Sequence, residues 1–175
     1  MQADLGKNYF ELFGLPVSFD IDPADLSSRY RELQRRFHPD RYASAMESER
    51  RLAMQMTSQI NAAHQTLRDP VLRGRYLLGL QGVMTDEETD TRMEPAFLME
   101  QMELREALDE ARTASDRADR LQVLGNRATA QFEQRRNQLR DVLSAPANTG
   151  YQKARNLVRE MQFLQKISRE IEELE

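Results

Sequence analysis

Apolar residues recur at spacings of three and four along most of the chain, which is the period of an amphipathic α-helix. The first such segment is the short run 9–13, ended by Gly14 and Pro16. Asp22 and Pro23 then supply an N-cap and a first helical residue for a second segment. Its apolar stripe is Leu26, Tyr30, Leu33 and Phe37. This spacing predicts a helix that packs through one narrow face.

Two further helices are predicted in the N-terminal half. Ser44 and Glu47 form a capping-box pattern that opens the third helix, and Asp69-Pro70 ends it and starts the fourth. The apolar stripe of the third helix is Leu52, Ala53, Met56, Ile60, Ala63 and Leu67. The acidic segment 85–91 has no apolar period, so it predicts a boundary between two domains.

The C-terminal half predicts three long helices. They span about 94–113, about 116–143, and 151 towards the C-terminus. Amphipathic helices joined by short loops favour an antiparallel three-helix bundle. The predicted fold is therefore all-α, with four helices in residues 1–80, a linker at 81–92 and the bundle at 93–175.

The tripeptide His38-Pro39-Asp40 follows the second helix directly. Because proline lacks a backbone N–H and disfavours a helical residue before it, the helix should end at Phe37. An imidazole and a carboxylate then lie on an exposed turn beside a cationic helix face. The arginines of that face are Arg29, Arg31, Arg35 and Arg36. This arrangement suits docking on another protein, and its alternative is a solvated helix end where His38 helps to satisfy the terminal carbonyls.

A second candidate surface lies on the helix that starts near Pro95. Its inward stripe should be Phe97, Leu104, Leu108 and Ala111. Leu98, Met99 and Met102 project away from that stripe, and three glutamates follow them. Apolar side chains opposite a core face are typical of a partner site, and methionine adapts well to such surfaces. The alternative is that the bundle or the first domain covers them.

Composition narrows the classes of function. Hydrophobic residues make up 39% and charged residues 31%, and the net charge of −4 is a poor field for general nucleic-acid binding. The absence of cysteine excludes disulfides and thiolate-ligated metal sites and fits a reducing, cytoplasmic compartment. The two histidines, His38 and His64, have no metal-ligand spacing. No catalytic motif, cofactor site or membrane-spanning run is predicted, so we expect a non-enzymatic protein.

Four blocks within residues 8–80 resemble the J domain, in that family's order. They are residues 9–16, 29–41, 60–67 and 69–76. J domains are four-helix co-chaperones that bind DnaK-family ATPases and stimulate their ATP hydrolysis. The resemblance implies an ATPase-binding group that we call the basic corner: Tyr30, Arg31, Arg35, Arg36, His38, Pro39, Asp40 and Arg41. In it the tripeptide contacts the ATPase, the arginines supply docking charge, and Tyr30 chiefly packs; Arg41 stands where many members have lysine.

Residues 97–110 and 161–167 are similar to the signature of HscB-type co-chaperones of iron–sulfur cluster assembly. In that family the C-terminal bundle binds the cluster scaffold protein (IscU type), and the J domain recruits a dedicated DnaK-family partner (HscA type). Carried over by position, the scaffold-binding residues are Leu98, Met99, Met102, Glu103, Glu106, Glu110 and Phe163. We call the six of them that lie in residues 98–110 the apolar-acidic strip.

The resulting hypothesis is an adaptor that brings the scaffold to the ATPase and promotes ATP turnover. One alternative is a J-domain co-chaperone that serves a different client. Another is a helical nucleic-acid-binding protein that uses residues 24–37 for recognition, which the acidic net charge disfavours.

Overall fold

A computed structural model describes residues 6–84, 94–145 and 150–174. Every regular element in these ranges is helical, which confirms the predicted all-α fold. The elements are α1 (Tyr9–Phe13), α2 (Pro23–Phe37), a 3₁₀ turn (Pro39–Tyr42), α3 (Glu47–Arg68), α4 (Pro70–Leu80), α5 (Pro95–Thr113), α6 (Arg117–Ser144) and α7 (Tyr151–Glu172).

The chain divides into two compact units, Met1–Leu77 and Leu78–Glu175. The predicted linker 81–92 and the predicted turn 145–150 lie mostly outside the described residues. The exact domain limits therefore stay predictions. None of the described helices combines the length and the low charge that crossing a membrane requires.

In the first unit, α2 and α3 form an antiparallel pair. The Tyr30 hydroxyl donates a hydrogen bond to Asn61 at 3.0 Å, and Thr57 donates to the Phe37 carbonyl at 3.0 Å. Later positions of α2 thus meet earlier positions of α3. The buried core of this unit includes Phe10, Phe13, Leu26, Phe37, Ala53, Met56, Ile60, Ala63 and Leu67. The apolar residues whose spacing predicted α2 and α3 form the faces through which these two helices pack.

Side chains cap the N-terminus of α1, and a glycine ends the helix. The Asn8 side chain accepts from the Glu11 N–H at 3.0 Å, and the Glu11 carboxylate accepts from the Asn8 N–H at 3.0 Å. This is a reciprocal capping box. At the other end Gly14 adopts the left-handed conformation with φ of 63°, where a residue without Cβ is favoured.

Arg29 has a structural role, although the sequence predicts it on the exposed cationic face of α2. It is half-buried, and its Nη1 donates to the carbonyl oxygens of Phe13 and Gly14, each at 3.0 Å. Its Nε donates to Asp25 at 2.8 Å. The guanidinium therefore satisfies the terminal carbonyls of α1, which no residue within that helix can do.

The capping box predicted at Ser44 and Glu47 is wrong. The N-cap of α3 is Met46, which makes no side-chain cap hydrogen bond. The Ala45 N–H instead donates to the Tyr42 carbonyl at 3.0 Å. This hydrogen bond keeps the chain in a turn past Ser44, so the helix begins later than the pattern suggests.

The second unit contains the predicted antiparallel three-helix bundle of α5, α6 and α7. Arg127 pairs with Glu103 at 2.7 Å, and Arg120 lies 3.9 Å from Glu110, so α5 and α6 run in opposite directions. A core cluster from all three helices fills the bundle: Leu104, Leu108, Ala111, Leu121, Leu124, Ala128, Leu164, Ile167 and Ile171.

One ion-pair network joins the three helices of this bundle. Arg135 on α6 contacts Glu100 on α5 at 2.5 Å and Glu160 on α7 at 3.1 Å. The side chains of Arg135 and Glu160 are only 11% and 14% exposed. Burial raises the pKa of Glu160, and the hydrogen bond from Arg135 acts in the opposite direction. The Arg135 guanidinium also lies 5.9 Å from the centre of the Phe97 ring.

We expect Arg135→Gln to lower the free energy of unfolding of the bundle by about 2–3 kcal/mol, because Glu160 would keep its burial and lose its counter-charge. Urea unfolding followed by circular dichroism measures this change. The matched control is Arg136→Gln, which removes an exposed pair with Glu133 at 2.6 Å and should change stability by less than about 0.5 kcal/mol. Equal losses in the two variants would contradict the structural role given to Arg135.

Candidate functional site

The basic corner is built on the end of α2. The helix ends at Phe37, as predicted, because Pro39 cannot supply the N–H that another turn requires. His38 leaves the helical region with ψ of 129°, and residues Pro39–Tyr42 form the 3₁₀ turn. The tripeptide is thus held at a sharp change of chain direction.

Three hydrogen bonds anchor this change of direction. Arg41 donates to the Arg35 carbonyl at 3.2 Å, and the Tyr42 hydroxyl donates to the Arg36 carbonyl at 3.3 Å. Thr57 of α3 donates to the Phe37 carbonyl at 3.0 Å. These carbonyls have no partners within α2, so side chains of the turn and of α3 satisfy them instead. Sequence reasoning treated Arg41 only as an exposed cation and missed Tyr42 and Thr57.

The Asp40 carboxylate projects into solvent from this anchored turn. Its side chain is 89% exposed. The Asp40 N–H donates to His38 Nδ1 at 3.3 Å, and the carboxylate lies 3.6 Å from the same nitrogen. The imidazole therefore holds the Asp40 backbone, and the carboxylate stays available to a partner.

The remaining residues of the corner divide into packing and exposed groups. Tyr30 is half-buried and stacks on His64 with ring centres 3.9 Å apart. Arg31, Arg35 and Arg36 are exposed. With Arg29 engaged in the fold, these three and Arg41 are the cations that α2 and its turn present.

The apolar part of the apolar-acidic strip is exposed. Leu98, Met99 and Met102 are 44%, 65% and 63% exposed, whereas Phe97 on the same turn of α5 is buried. This matches the predicted division between a core face and an outward face. Within the part of the bundle that the structure describes, its other helices do not hide these side chains.

The acidic edge of the strip is partly paired with α6. Glu103 contacts Arg127 at 2.7 Å, and Glu110 lies 3.9 Å from Arg120. No ion-pair partner is seen for Glu106 among the described residues, and its side chain is exposed. The sequence did not reveal this involvement of α6.

Phe163 is less accessible than the sequence prediction requires. It is partly buried against the bundle core, and its ring meets Phe97 edge-to-face at 5.8 Å. The Arg105 guanidinium lies 5.6 Å from the centre of its ring. Replacing Phe163 would therefore disturb packing as well as any contact with a partner.

Sequence reasoning also missed Val123 on α6, which is 69% exposed. The signal was present, since Val123 lies between two core residues of α6, off their stripe, just as Leu98 lies off the stripe of α5. Among the described residues, no group of three or more potential ligands is placed to hold a metal ion.

Two family models match this chain, one in each of its two compact units. A family model described as the DnaJ domain matches residues 8–76, and one described as the HSCB C-terminal oligomerisation domain matches residues 93–172. The fold and its exposed His-Pro-Asp turn thus define a J-domain co-chaperone.

Individual relatives specify the family. The chain is 43% identical to the co-chaperone protein HscB homolog of Vibrio cholerae, over 96% of each chain, and 42% identical to that of Aliivibrio fischeri, with the same coverage. Among solved structures, the chaperone HscB from Vibrio cholerae matches with a TM-score of 0.83 and 42% identity, covering 95% of this chain and 96% of that one. Human co-chaperone protein HscB matches with a TM-score of 0.88 and 28% identity, covering 98% and 84%. The chain belongs to the HscB family, the J-domain co-chaperones of iron–sulfur cluster assembly.

The stacked His64 gives the first unit a specific pH response. Burial lowers the pKa of His64, and the nearby Arg68 lowers it further. The unfolded chain, with an ordinary pKa near 6.5, therefore takes up this proton more readily than the folded chain. The stability that neutral His64 contributes should be fully present above about pH 6.5 and should be lost as the pH falls below that value.

We expect the His64 ring to titrate below about 6.5 in an NMR pH series. The free energy of unfolding should fall less steeply between pH 7.5 and 5.5 in His64→Gln than in the parent. The difference should stay well under the one-proton limit of about 1.4 kcal/mol per pH unit, because the side chain is partly exposed. A midpoint above 6.5, or identical slopes, would contradict this explanation.

Proposed function

We propose that this protein binds the iron–sulfur cluster scaffold (IscU type) through the apolar-acidic strip and Phe163, and delivers it to a DnaK-family ATPase (HscA type). The basic corner stimulates ATP hydrolysis by that ATPase. The observation that carries this proposal is the exposed Asp40 carboxylate on a turn whose backbone is anchored by hydrogen bonds from Arg41, Tyr42 and Thr57. Membership in the HscB family supports the class of partner. The exposed side chains of the two surfaces support the assignment of the binding residues.

The basic corner acts on the equilibrium between two states of the ATPase. Exposed arginines accelerate encounter with an acidic groove, an effect that high salt weakens. A carboxylate held on an anchored turn can then compete for a cation inside the ATPase. It stimulates hydrolysis only if it binds the hydrolysis-competent state more tightly than the resting state.

The strip acts through contact area. Three exposed apolar side chains in the first two turns of α5 lose contact with water when a partner covers them. The glutamates beside them favour a basic segment of the scaffold. Since one chain carries both surfaces, scaffold binding raises the local concentration of scaffold at the ATPase without any new contact.

We expect Asp40→Asn to leave the first unit folded and to reduce stimulation of single-turnover ATP hydrolysis by at least about ten-fold. The fold should persist because the carboxylate is exposed and the anchoring Asp40 N–H is kept. Asp20→Asn, which neutralises another exposed aspartate of this unit, is the matched control. Undiminished stimulation by the folded Asp40→Asn protein would rule out this role.

We expect Leu98→Ala/Met99→Ala/Met102→Ala to weaken scaffold binding by roughly a hundred-fold in isothermal titration calorimetry, since each truncation removes about 1 kcal/mol of apolar contact. Phe163 is left intact because its replacement would also disturb the core.

The control for this variant is Val17→Ala/Met46→Ala/Met54→Ala, which truncates three apolar residues of the first unit that are at least as exposed as those of the strip. It should bind the scaffold with parental affinity. ATPase stimulation in the absence of scaffold should be the same in the strip variant and the parent. Parental scaffold affinity of the strip variant would refute the assignment of the strip.

A further inference from the structure

A groove between α5 and α6 continues the apolar-acidic strip. It has a volume of about 360 Å³, and its apolar lining comes from Ala107 of α5 and from Val123 and Leu124 of α6. Leu124 is a buried core residue, whereas Val123 is 69% exposed at the edge of the groove. Val123 is therefore apolar surface that contributes nothing to the bundle core.

The charges around this groove are arranged unevenly. Glu110, Asp116 and Asp119 line it together with Arg120 and Arg127. The Arg120 guanidinium is engaged by Asp116 at 2.8 Å, so an acidic excess remains at this end of the groove. An apolar side chain next to a lysine or arginine fits such a lining better than an acidic segment does.

The groove and the strip are one continuous surface. Glu110 belongs to both, because it is the last residue of the strip and also lines the groove. Glu103 of the strip is ion-paired at 2.7 Å with Arg127, which lines the groove from α6. A partner that covers Met99, Glu103 and Glu110 thus reaches the edge of the groove without leaving the protein surface.

We propose that the scaffold contact extends from the strip across to α6, where the groove receives an apolar side chain of the scaffold that is flanked by a basic residue. Val123 is the contact residue on α6. This inference rests on the proposed function and adds a second helix to the binding surface. In this arrangement the ion pairs of Glu103 and Glu110 lie within the scaffold interface.

Val123→Ser tests this inference with little effect on the fold. Serine and valine have similar helix propensities, and the side chain is mostly exposed. We expect scaffold affinity to fall by about five-fold or more in calorimetry. ATPase stimulation without scaffold should not change. Val17→Ser, at an exposed valine of the first unit, is the matched control and should bind with parental affinity.

The outcomes separate this inference from the proposed function. Parental affinity of Val123→Ser, with binding lost in the strip variant, would overturn the groove contact and leave the proposed function standing. Parental affinity in both variants would overturn both. If sedimentation showed that Val123→Ser alters self-association of the chain and not scaffold affinity, the groove would be an interface between copies, and the scaffold contact would be overturned.

Discussion

The carbonyl groups at the end of α2 have no partners within that helix, because Pro39 prevents the chain from adding another turn. Arg41, Tyr42 and Thr57 supply the missing donors. The same bonds that satisfy the helix end also fix the backbone from which Asp40 projects. A carboxylate at the tip of a loosely held loop would lose conformational entropy on binding, and the anchored turn has already incurred most of that loss.

The bundle follows a different principle, in which one helix divides its residues between two tasks. The inner face of α5 supplies Phe97, Leu104 and Leu108 to the core, while its outer face leaves Leu98 and Met99 exposed. The Arg135 network joins α5 to the other two helices beside Phe97. The outward residues are therefore presented by a helix that packing and ion pairs already hold in place. The two candidate surfaces differ in charge and lie in different units, so we expect a substitution in one of them to leave the other intact.

Periodicity was enough to predict the helices, whereas the capping pattern at Ser44 and Glu47 placed the start of α3 too early. The spacing of Leu26 and Phe37, the Asp22-Pro23 start and the proline after His38 identified α2 to within a residue, because each reflects a local backbone requirement. The sequence was less informative where a side chain serves a distant element. Arg29 looks like any exposed cation on a wheel, and only the fold brings it to the carbonyl of Gly14. The burial of Phe163 and the pairing of Glu103 with Arg127 likewise depend on how three helices meet.

The adaptor mechanism requires that scaffold binding and ATPase stimulation be connected through a single chain. The most direct measurement is single-turnover ATP hydrolysis by the HscA-type ATPase, titrated with this protein in the presence and absence of the IscU-type scaffold. If the protein holds both partners together, the concentration that gives half-maximal stimulation should fall at least about ten-fold when scaffold is present. Identical titration curves with and without scaffold would contradict this mechanism.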